Sequence, residues 1–569
     1  MLWILLSYSF ITLMCFWAGI LIYTLPFFRE ARNRPLFFYF ITGLIGLTAF
    51  GQVFVLFFPL IPIILWLIIL MMAFLTFFSW KAVTSELRQL YENRKRVGWL
   101  PLIAGASLIL MILTLNAGPT VMDDTDSYHI QMVKWAQEFG TVPGIANLHL
   151  RFGFNSSWFI SISLLSPRIS GINGYLVLNG VLSVWLAFYL LEKIFGGINE
   201  SKDNISIPVL ALLVIALLNW PIIRGNACSA NYDFISTCCI LSLFIEKNSE
   251  GHHALSFEWL IWPVYLCTIR LINSPLLLLS LYSLLKIERK QRLFILISCL
   301  FVGSPILARN LILSGYLFFP VYQLDFFAVD WKVDRAQLAD MMAYIKYFNR
   351  VNPMFQSLSK TMSLGFPEWI WAWYKNLFRF DQWLVSISLL CFAAIFARWK
   401  KFFGKAKAVD RVFLITMIIQ LLCWFLVAPD PRFVYGPLLF GIFLLVSQFH
   451  FLWLKSGFQI LRISTFLMSI LVLGYTTQKI ITNSNYRNWI EPKPLPKTPF
   501  RNIVVNGIEM HIPEKILDNW NPRCYDIALP CLYKPDPRLE ARGKSLRQGF
   551  RISRSKSSDH VEGEYNITE

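Results

Sequence analysis

Charged residues are scarce in this sequence, and the motifs of several soluble enzyme classes are absent from it. Only 15% of the 569 residues are charged, whereas 56% are hydrophobic, and the mean hydropathy is +0.53. No GxGxxG after a predicted strand and no GxxxxGK[ST] occurs, which argues against a soluble nucleotide-sugar site; CxxC and HExxH, which would indicate zinc, are also missing. Residues 1–28 lack a basic region and a small-residue cleavage site, so they are predicted to form a retained span. So much apolar surface cannot be buried in soluble domains, and the composition predicts a membrane protein.

Aromatic residues and long apolar runs, by contrast, are abundant. The chain contains 49 Phe, 21 Trp and 21 Tyr, residues that suit lipid-facing surfaces and the aromatic belts at membrane interfaces. About fourteen apolar segments are candidates to cross about 30 Å of hydrocarbon, which takes roughly 17 to 25 residues, and several of them are shorter than that. The sequence therefore predicts an all-α polytopic membrane protein with about 12 to 14 transmembrane helices. The candidate spans lie approximately at 3–26, 36–58, 60–79, 98–117, 173–195, 205–223, 234–246, 257–273, 275–286, 293–308, 384–398, 412–428, 436–454 and 459–476.

The distribution of basic residues predicts the orientation of these spans. The formal net charge is +18, but the basic residues are scattered among short loops and a tail, so no nucleic-acid partner is expected. Connections rich in Lys and Arg should face the cytoplasm, and those at 29–34, 81–96, 286–292 and 398–411 all fall on one face. The outer segments are then about 118–172, 224–233, 309–383, 429–435 and the tail from about 477.

The polar tail predicts a small appendage after a membrane domain that occupies residues 1–476. Residues 477–550 should lie outside the membrane, where Asn506-Gly507 between apolar residues indicates a hairpin. Cys524 and Cys531 lie in this segment, and an oxidising compartment would permit a disulfide between them. Residues 551–569 have the composition of a disordered tail.

The most informative stretch is the acidic loop at residues 116–140, directly after a predicted span. Asp123, Asp124 and Asp126 repel one another near low-dielectric lipid, which raises the pKa of at least one carboxyl group or recruits a cation. Asp126 is also suited to cap the helix that follows. The loop thus predicts a general base for an acceptor hydroxyl or, as the alternative, a divalent-metal site built on Asp123 and Asp124.

This loop resembles the first outer loop of the GT-C membrane glycosyltransferases, which include protein mannosyltransferases and aminoarabinose transferases. Asp124 matches their catalytic Asp, with Tyr128, His129 and Trp135 in register. The resemblance implies Asp124 as catalytic base, assisted by Asp123, Asp126 and His129, and a sugar donor carried on polyprenyl phosphate. Residues 142–158 are closer to a less characterised bacterial branch of such proteins.

The sequence departs from the best-known GT-C members in two ways. Three predicted spans precede the acidic loop instead of one, and Thr125 replaces an acidic residue that often neighbours the catalytic Asp. No cofactor is therefore required by the sequence, and a divalent metal ion is the one candidate.

Four arginines at or near predicted outer span ends are candidates for binding the donor phosphate, because Arg offers a permanent charge with bidentate geometry. They are Arg224, Arg270, Arg309 and Arg432. The alternative for each is an interfacial side chain that snorkels to the headgroups. Asp233 could add a second acidic group near Asp124 or could cap the next span.

Together these features predict a glycosyltransferase in a bacterial cytoplasmic membrane with its active site facing outside. Its partners would be the bilayer, a polyprenyl-phosphate-linked sugar donor, and a glycan, lipid or protein acceptor. Two alternatives remain. One is an O-antigen polymerase or ligase, which would use the long loop 309–383; the other is a transporter or flippase of lipid-linked sugars, which should show paired repeats with broken helices.

Overall fold

The computed structural model describes most of the chain. The described residues are 1–25, 34–92, 98–166, 174–196, 225–249, 257–350, 358–400, 404, 407–448, 456–514, 523–532 and 534–553. Within them the fold is all-α apart from two short hairpins in the tail, so the helical part of the predicted fold class is confirmed. The described residues hold seven or eight candidate spans, fewer than the 12 to 14 predicted. The predicted span 205–223 lies outside the described residues.

The α-helices follow one another with short connections. In chain order they are α1 (Leu2–Tyr23), α2 (Leu36–Phe57), α3 (Pro62–Phe78), α4 (Trp80–Glu92), α5 (Trp99–Asn116), α6 (Ile130–Glu138), α7 (Ser157–Leu165), α8 (Leu178–Gly196), α9 (Phe234–Ser249), α10 (Glu258–Ile269), α11 (Leu277–Lys286), α12 (Arg289–Ser314), α13 (Arg335–Arg350), α14 (Leu358–Ser363), α15 (Phe366–Asn376), α16 (Arg379–Ala397), α17 (Ala408–Val427), α18 (Tyr435–Gln448) and α19 (Ser456–Thr482).

Seven helices in the described part of the chain are long and apolar enough to cross a membrane, or up to eight if α3 and α4 form one broken span. The seven are α1, α2, α5, α8 with the turn before it, α12, α16 and α17. Four shorter apolar helices, α9 to α11 and α18, add to the bundle. Helices α3 and α4 meet at 90°. The span predicted at 60–79 therefore ends at this bend, where the amphipathic helix α4 begins. These helices are consistent with a multi-pass membrane protein.

Small residues allow the first two helices to pack closely. A Cβ atom on Gly43 would lie 1.8 Å from the carbonyl oxygen of Cys15, and one on Gly19 would lie 2.1 Å from that of Tyr39. Only glycine fits such a backbone approach, and it is the usual solution for helix pairs in lipid. This contact anchors α1 and α2, against which α7, α8 and α12 pack.

Several helix ends meet on one face of the bundle. The Met1 amino group donates to the carbonyl of Asn488, and the Asn488 amide donates to the carbonyl of Ala117. Tyr8 of α1 donates to the Asn116 side chain at 2.8 Å. The start of α1 and the ends of α5 and α19 therefore share one face, as the topology from charge requires.

In the tail, β1 (Phe500–Val505) and β2 (Ile508–Pro513) form an antiparallel hairpin with Val505 paired to Ile508. Asn506 and Gly507 both have positive φ, which a type I′ turn needs and these residues tolerate. The hairpin predicted at this turn is present. A second pair, β3 (Leu539–Ala541) and β4 (Phe550–Ile552), follows.

The orientation can be tested by cysteine labelling. A cysteine introduced at exposed Asp340, in the predicted outer loop, should react with a membrane-impermeant maleimide added to intact cells, because Lys and Arg are much sparser along that loop than along residues 398–411. A cysteine at exposed Lys400 should react only after the cells are opened. The parent protein gives the background from the free cysteines, and the reverse labelling pattern would contradict the orientation.

Candidate functional site

The acidic loop begins where α5 ends and enters α6 through a single π-helical turn, Thr125–His129. Such turns are rare and occur frequently at functional sites. The backbone N–H of Ala230 donates to the Thr125 hydroxyl at 3.2 Å, and the His129 ring lies 3.3 Å from the same hydroxyl. The turn is thereby fixed against the segment that precedes α9.

That segment is itself held by α8. The Asn179 amide donates to the carbonyls of Ser229 and Asn231 at 3.1 and 2.7 Å. It brings Asp233, the last residue before α9, next to the acidic loop. A buried amide that bridges two carbonyls in this way satisfies backbone groups that would otherwise cost free energy.

The Asp-Pro-Arg turn between α17 and α18 forms another wall of the site. Trp424 and Trp373 donate their indole N–H groups to the carbonyls of Asp430 and Pro429, both at 2.7 Å. The Asp430 carboxylate accepts from the backbone N–H of Arg432 at 3.1 Å. The turn thus presents an acid and a guanidinium in fixed positions.

Asp124 lies between two arginines. Its Oδ1 is 3.2 Å from Nη1 of Arg151, and its Oδ2 is 3.0 Å from Nη2 of Arg432. Nε of Arg432 is in turn 3.0 Å from Oδ2 of Asp430 and 3.9 Å from Oδ2 of Asp233. One guanidinium therefore faces three carboxylates from distant parts of the sequence.

Arg270 completes the group. Its guanidinium pairs with the Asp233 carboxylate and stacks on Phe433, with 3.4 Å between the guanidinium carbon and the ring centroid. Tyr232 lies on another side at 5.1 Å. We call these six residues the charge cluster: Asp124, Asp233, Asp430, Arg151, Arg270 and Arg432. Three positive and three negative charges balance within it.

The environment shifts the pKa values of two cluster carboxyl groups in opposite directions. Burial tends to raise the pKa of Asp124, but the charges of Arg432 and Arg151 outweigh it and hold that pKa well below its usual range. Burial raises the pKa of Asp233 despite Arg270 and Arg432. Asp124 is consequently ionised at neutral pH.

The charge cluster borders a cavity of about 580 Å³, within the range of small-molecule sites. Arg350, at the end of α13, lies on its wall with the guanidinium 4.3 Å from the Trp369 ring centroid. Its Nε is buried without a hydrogen-bond partner among the described residues. Aromatic side chains form much of the remaining wall: Tyr128, Phe154, Tyr232, Tyr344, Phe348, Trp373, Phe378, Phe433 and Tyr435.

The other predicted catalytic residues lie at different positions relative to the cavity. Asp123 lines the cavity, is exposed, and pairs with Arg523 of the tail at 2.5 Å. Asp126 is buried, where it accepts from the Thr120 hydroxyl at 2.6 Å, and lies outside the cavity lining. His129 is also buried behind the wall, and burial lowers its pKa to about 3. Asp124 is therefore the member of this predicted set that joins the charge cluster.

Of the three predicted arginines that the structure describes, two lie in the cavity wall and one does not. Arg270 and Arg432 are in the charge cluster. Arg309 is only 2% exposed within α12, its Nε and Nη1 have no hydrogen-bond partner in the described part of the chain, and it does not line this cavity. Arg224 lies outside the described residues. Arg432 therefore lies beside Asp124, as a donor-phosphate site next to the predicted base would need, whereas Arg309 does not line the same cavity.

Two lining arginines were not selected from the sequence. Arg151 lies in the predicted outer loop 118–172, in a run otherwise rich in apolar and amide residues, and an isolated charge there is a usable signal. Arg350 ends a helical segment with Tyr344 and Phe348 on the same side. In the ranges that the structure describes, no group of three or more His, Cys, Asp or Glu residues could hold a metal ion.

The burial of Asp126 predicts a pH dependence of stability that can be tested without an activity assay. Burial raises its pKa from 3.8 to about 6. The folded state therefore holds the proton more tightly than the unfolded state, and stability falls as pH rises from about 4 to about 6. The loss amounts to about 3 kcal/mol above that range. Asp126→Asn removes this ionisation, so it should raise the thermal unfolding midpoint at pH 7.5 and leave it unchanged near pH 4. An equal change at both pH values would contradict the assignment.

The apolar helices and the charged cavity at their ends are consistent with a class of multi-pass helical membrane proteins that have a polar site at the ends of several helices. Within that class the chain belongs to the family described as Domain of unknown function (DUF8201), which it matches over residues 1–439. All six residues of the charge cluster lie in the matched region, whereas the tail lies beyond it. No curated protein and no solved structure matches the chain.

Proposed function

We propose that this protein is a membrane glycosyltransferase that moves a sugar from a polyprenyl-phosphate-linked donor to a glycan, lipid or protein acceptor on the extracytoplasmic side. The observation that carries the proposal is the setting of Asp124. This carboxylate follows an apolar helix, borders a cavity of about 580 Å³, and is bracketed by Arg151 and Arg432. The resemblance of the acidic loop to that of GT-C enzymes supports the same assignment.

The proposed reaction is a single displacement with inversion. The acceptor oxygen attacks the anomeric carbon, the bond from that carbon to the phosphate oxygen breaks, and its electron pair stays on the departing phosphate. Asp124 takes the proton from the acceptor hydroxyl. A positioned general base of this kind is worth about 10²- to 10⁴-fold in rate.

The arginines of the charge cluster suit the leaving group. Guanidinium groups bind phosphate oxygens through two parallel hydrogen bonds, and fixed cations stabilise the charge that develops as the sugar departs. Arg432 and Arg270 would serve this role. Arg350, which pairs with no carboxylate in the described part of the chain, could meet the phosphate first.

The low pKa of Asp124 in the ligand-free protein depends on its two arginines. A phosphate that drew Arg432 away from Asp124 would remove one of the charges that lower this pKa. Asp124 would then become a stronger base when the donor is bound. The aromatic wall formed by residues such as Tyr128 and Tyr344 offers faces for a sugar ring or a polyprenyl chain.

The direct experiment uses purified protein in proteoliposomes. The probe is polyprenyl phosphate carrying a radiolabelled sugar, with a membrane fraction as the source of acceptors. We expect label to leave the lipid, free polyprenyl phosphate to appear, and both to require Asp124. Label that stays on the lipid in every acceptor fraction would contradict the proposal. Movement of the labelled lipid between leaflets without transfer would favour the transporter alternative.

A further inference from the structure

A loop of the tail lies directly on the acidic loop. Cys524 and Cys531 are joined by a disulfide, and they close the segment Arg523–Leu532 into a compact turn. Tyr525 in this turn has a φ of +41°, a conformation that is strained for a bulky residue. The surroundings must therefore hold the turn in place.

The turn is bonded to the residues on either side of Asp124. The backbone N–H of Tyr525 donates to the carbonyl of Asp126 at 2.8 Å. Nη2 of Arg523 lies 2.5 Å from Oδ1 of Asp123. Asp123, directly before the candidate base, and Asp126, two residues after it, are thus tied to a segment about 400 residues away in the sequence.

Two buried polar side chains of α6 depend on the same turn. Gln131, which is 0% exposed, donates to the carbonyls of Tyr525 and Ile527, both at 3.2 Å. Lys134, which is 6% exposed, donates to the carbonyls of Asp526 and Ile527 at 3.1 and 2.9 Å and lies 3.0 Å from the Asp526 carboxylate. Burying such groups without these partners would be costly, most of all for the lysine.

The other end of the turn lies near Arg151 of the charge cluster. Cys531 and Leu532 share a small cavity with Tyr128, His149 and Arg151, the last of which pairs with Asp124. The backbone N–H of Leu532 donates to the carbonyl of His511 in β2 at 3.2 Å, so this end is anchored on the hairpin. The disulfide therefore joins the end that bonds to α6 to the end that lines this small cavity together with Arg151.

We propose that the disulfide-closed turn Arg523–Leu532 is a positioning element of the candidate active site, and that Lys134 and Gln131 are positioning residues that act through it. This inference rests on the proposed function for its catalytic consequence. With the disulfide intact, the turn fixes the π-helical turn at residues 125–129 and therefore the carboxylate of Asp124. Once the disulfide is reduced, the two ends separate and the acidic loop loses its outer support.

The structural part is tested by hydrogen exchange on the full-length protein in nanodiscs. Reduction, or the double substitution Cys524→Ser and Cys531→Ser, should speed exchange of the amides in residues 123–138 by about tenfold or more, which corresponds to about 1.4 kcal/mol. Exchange in α16 should stay unchanged. The double variant treated with reductant is the matched control, since no disulfide remains to be broken. Unchanged exchange in 123–138 would overturn the proposal.

The catalytic part uses Lys134, which leaves the disulfide in place. Lys134→Met should lower kcat for sugar transfer by about 100-fold with little change in KM for the donor, because small displacements of a catalytic group have that effect. Lys134→Arg, which can still donate to the carbonyls, should recover most of the rate. Arg538→Gln removes an exposed ion pair of the same tail and should leave kcat unchanged.

The outcomes separate the two proposals. Faster exchange in residues 123–138 with an unchanged kcat in Lys134→Met would overturn the positioning role while leaving the glycosyltransferase assignment intact. Sugar transfer that is absent from the wild-type protein would reject the proposed function, whereas the exchange experiment would still decide whether the turn holds the acidic loop.

Discussion

Replacing Asp124 by Asn should lower the rate of sugar transfer by about 10²- to 10⁴-fold, the usual contribution of a general base. Asn keeps the size of the side chain but cannot take a proton from the acceptor. Its one amide oxygen can accept from Arg151 or from Arg432, whereas the two carboxylate oxygens of Asp124 accept from one arginine each. The measurement is kcat with a radiolabelled polyprenyl-phosphate-linked sugar. An unchanged circular dichroism spectrum and gel-filtration profile would show that the variant is folded.

Asp126→Asn is the matched control. Asp126 is two residues away and also acidic, but it is buried beside Thr120 and does not line the cavity. Its replacement should therefore reduce the transfer rate far less. If Asp124→Asn transferred sugar at the wild-type rate, the base would lie elsewhere, and Asp123 or Asp233 would be the next carboxyl groups to replace.

Replacing Arg432 by Gln should have the second largest effect, because this side chain meets Asp124, Asp430 and Asp233 together. Loss of a group that stabilises developing negative charge typically lowers kcat by about 10²- to 10³-fold. The three carboxylates would also lose their shared partner, which should reduce the free energy of unfolding by about 2 to 5 kcal/mol. Transfer assays and thermal unfolding measure the two effects separately.

Arg432→Lys tests the geometry of the same position. Lysine keeps the positive charge but not the planar fork, so it should restore most of the stability and only part of kcat. Arg398→Gln, at an exposed helix end away from the cavity, controls for the removal of an arginine. If Arg432→Gln left both stability and transfer unchanged, the charge cluster would have no part in the site.

The sequence predicted the helical architecture better than the individual spans. Apolar length and the placement of basic loops are local properties, and they located α1, α2 and α5 closely. The span predicted at 293–308 covers only the middle of α12, which runs from Arg289 to Ser314. These properties could not show that α3 ends in a 90° bend. Similarly, the predicted pair 257–273 and 275–286 forms two short helices around a 3-10 turn at Leu271–Leu276, where Pro275 interrupts the pattern.

The candidate site was predictable only where its residues are neighbours in the sequence. Asp124 was identifiable from its crowded acidic loop and its position after a span. Its partners Arg151 and Arg432 are 27 and 308 residues away, and only packing brings them together. Arg309, in contrast, was predicted from its position in the sequence but does not line the cavity. A charge at a predicted span end indicates depth in the membrane, but not which side of the helix faces the cavity.

The contact between the tail and the acidic loop was even harder to predict from the sequence. The sequence indicated a pair of cysteines and a hairpin, both of which are present, but nothing in residues 523–532 identifies the acidic loop as their contact. Gln131 and Lys134 resembled ordinary polar residues of an interfacial helix. Their burial, and the carbonyls that accept from them, follow from contacts across nearly 400 residues.

The shared bonds of the charge cluster determine how substitutions in it should combine. Arg432 touches carboxylates that are also held by Arg151 and Arg270, so each charge sets the environment of the others. Groups that are coupled in this way give non-additive effects in double-mutant cycles. Once Arg432 is lost, removing Asp124 as well relieves an uncompensated negative charge, and the double variant should be more stable than the sum of its single substitutions would indicate. We therefore expect the six residues to behave thermodynamically as one unit, with no separable share of the site's free energy for any single one of them.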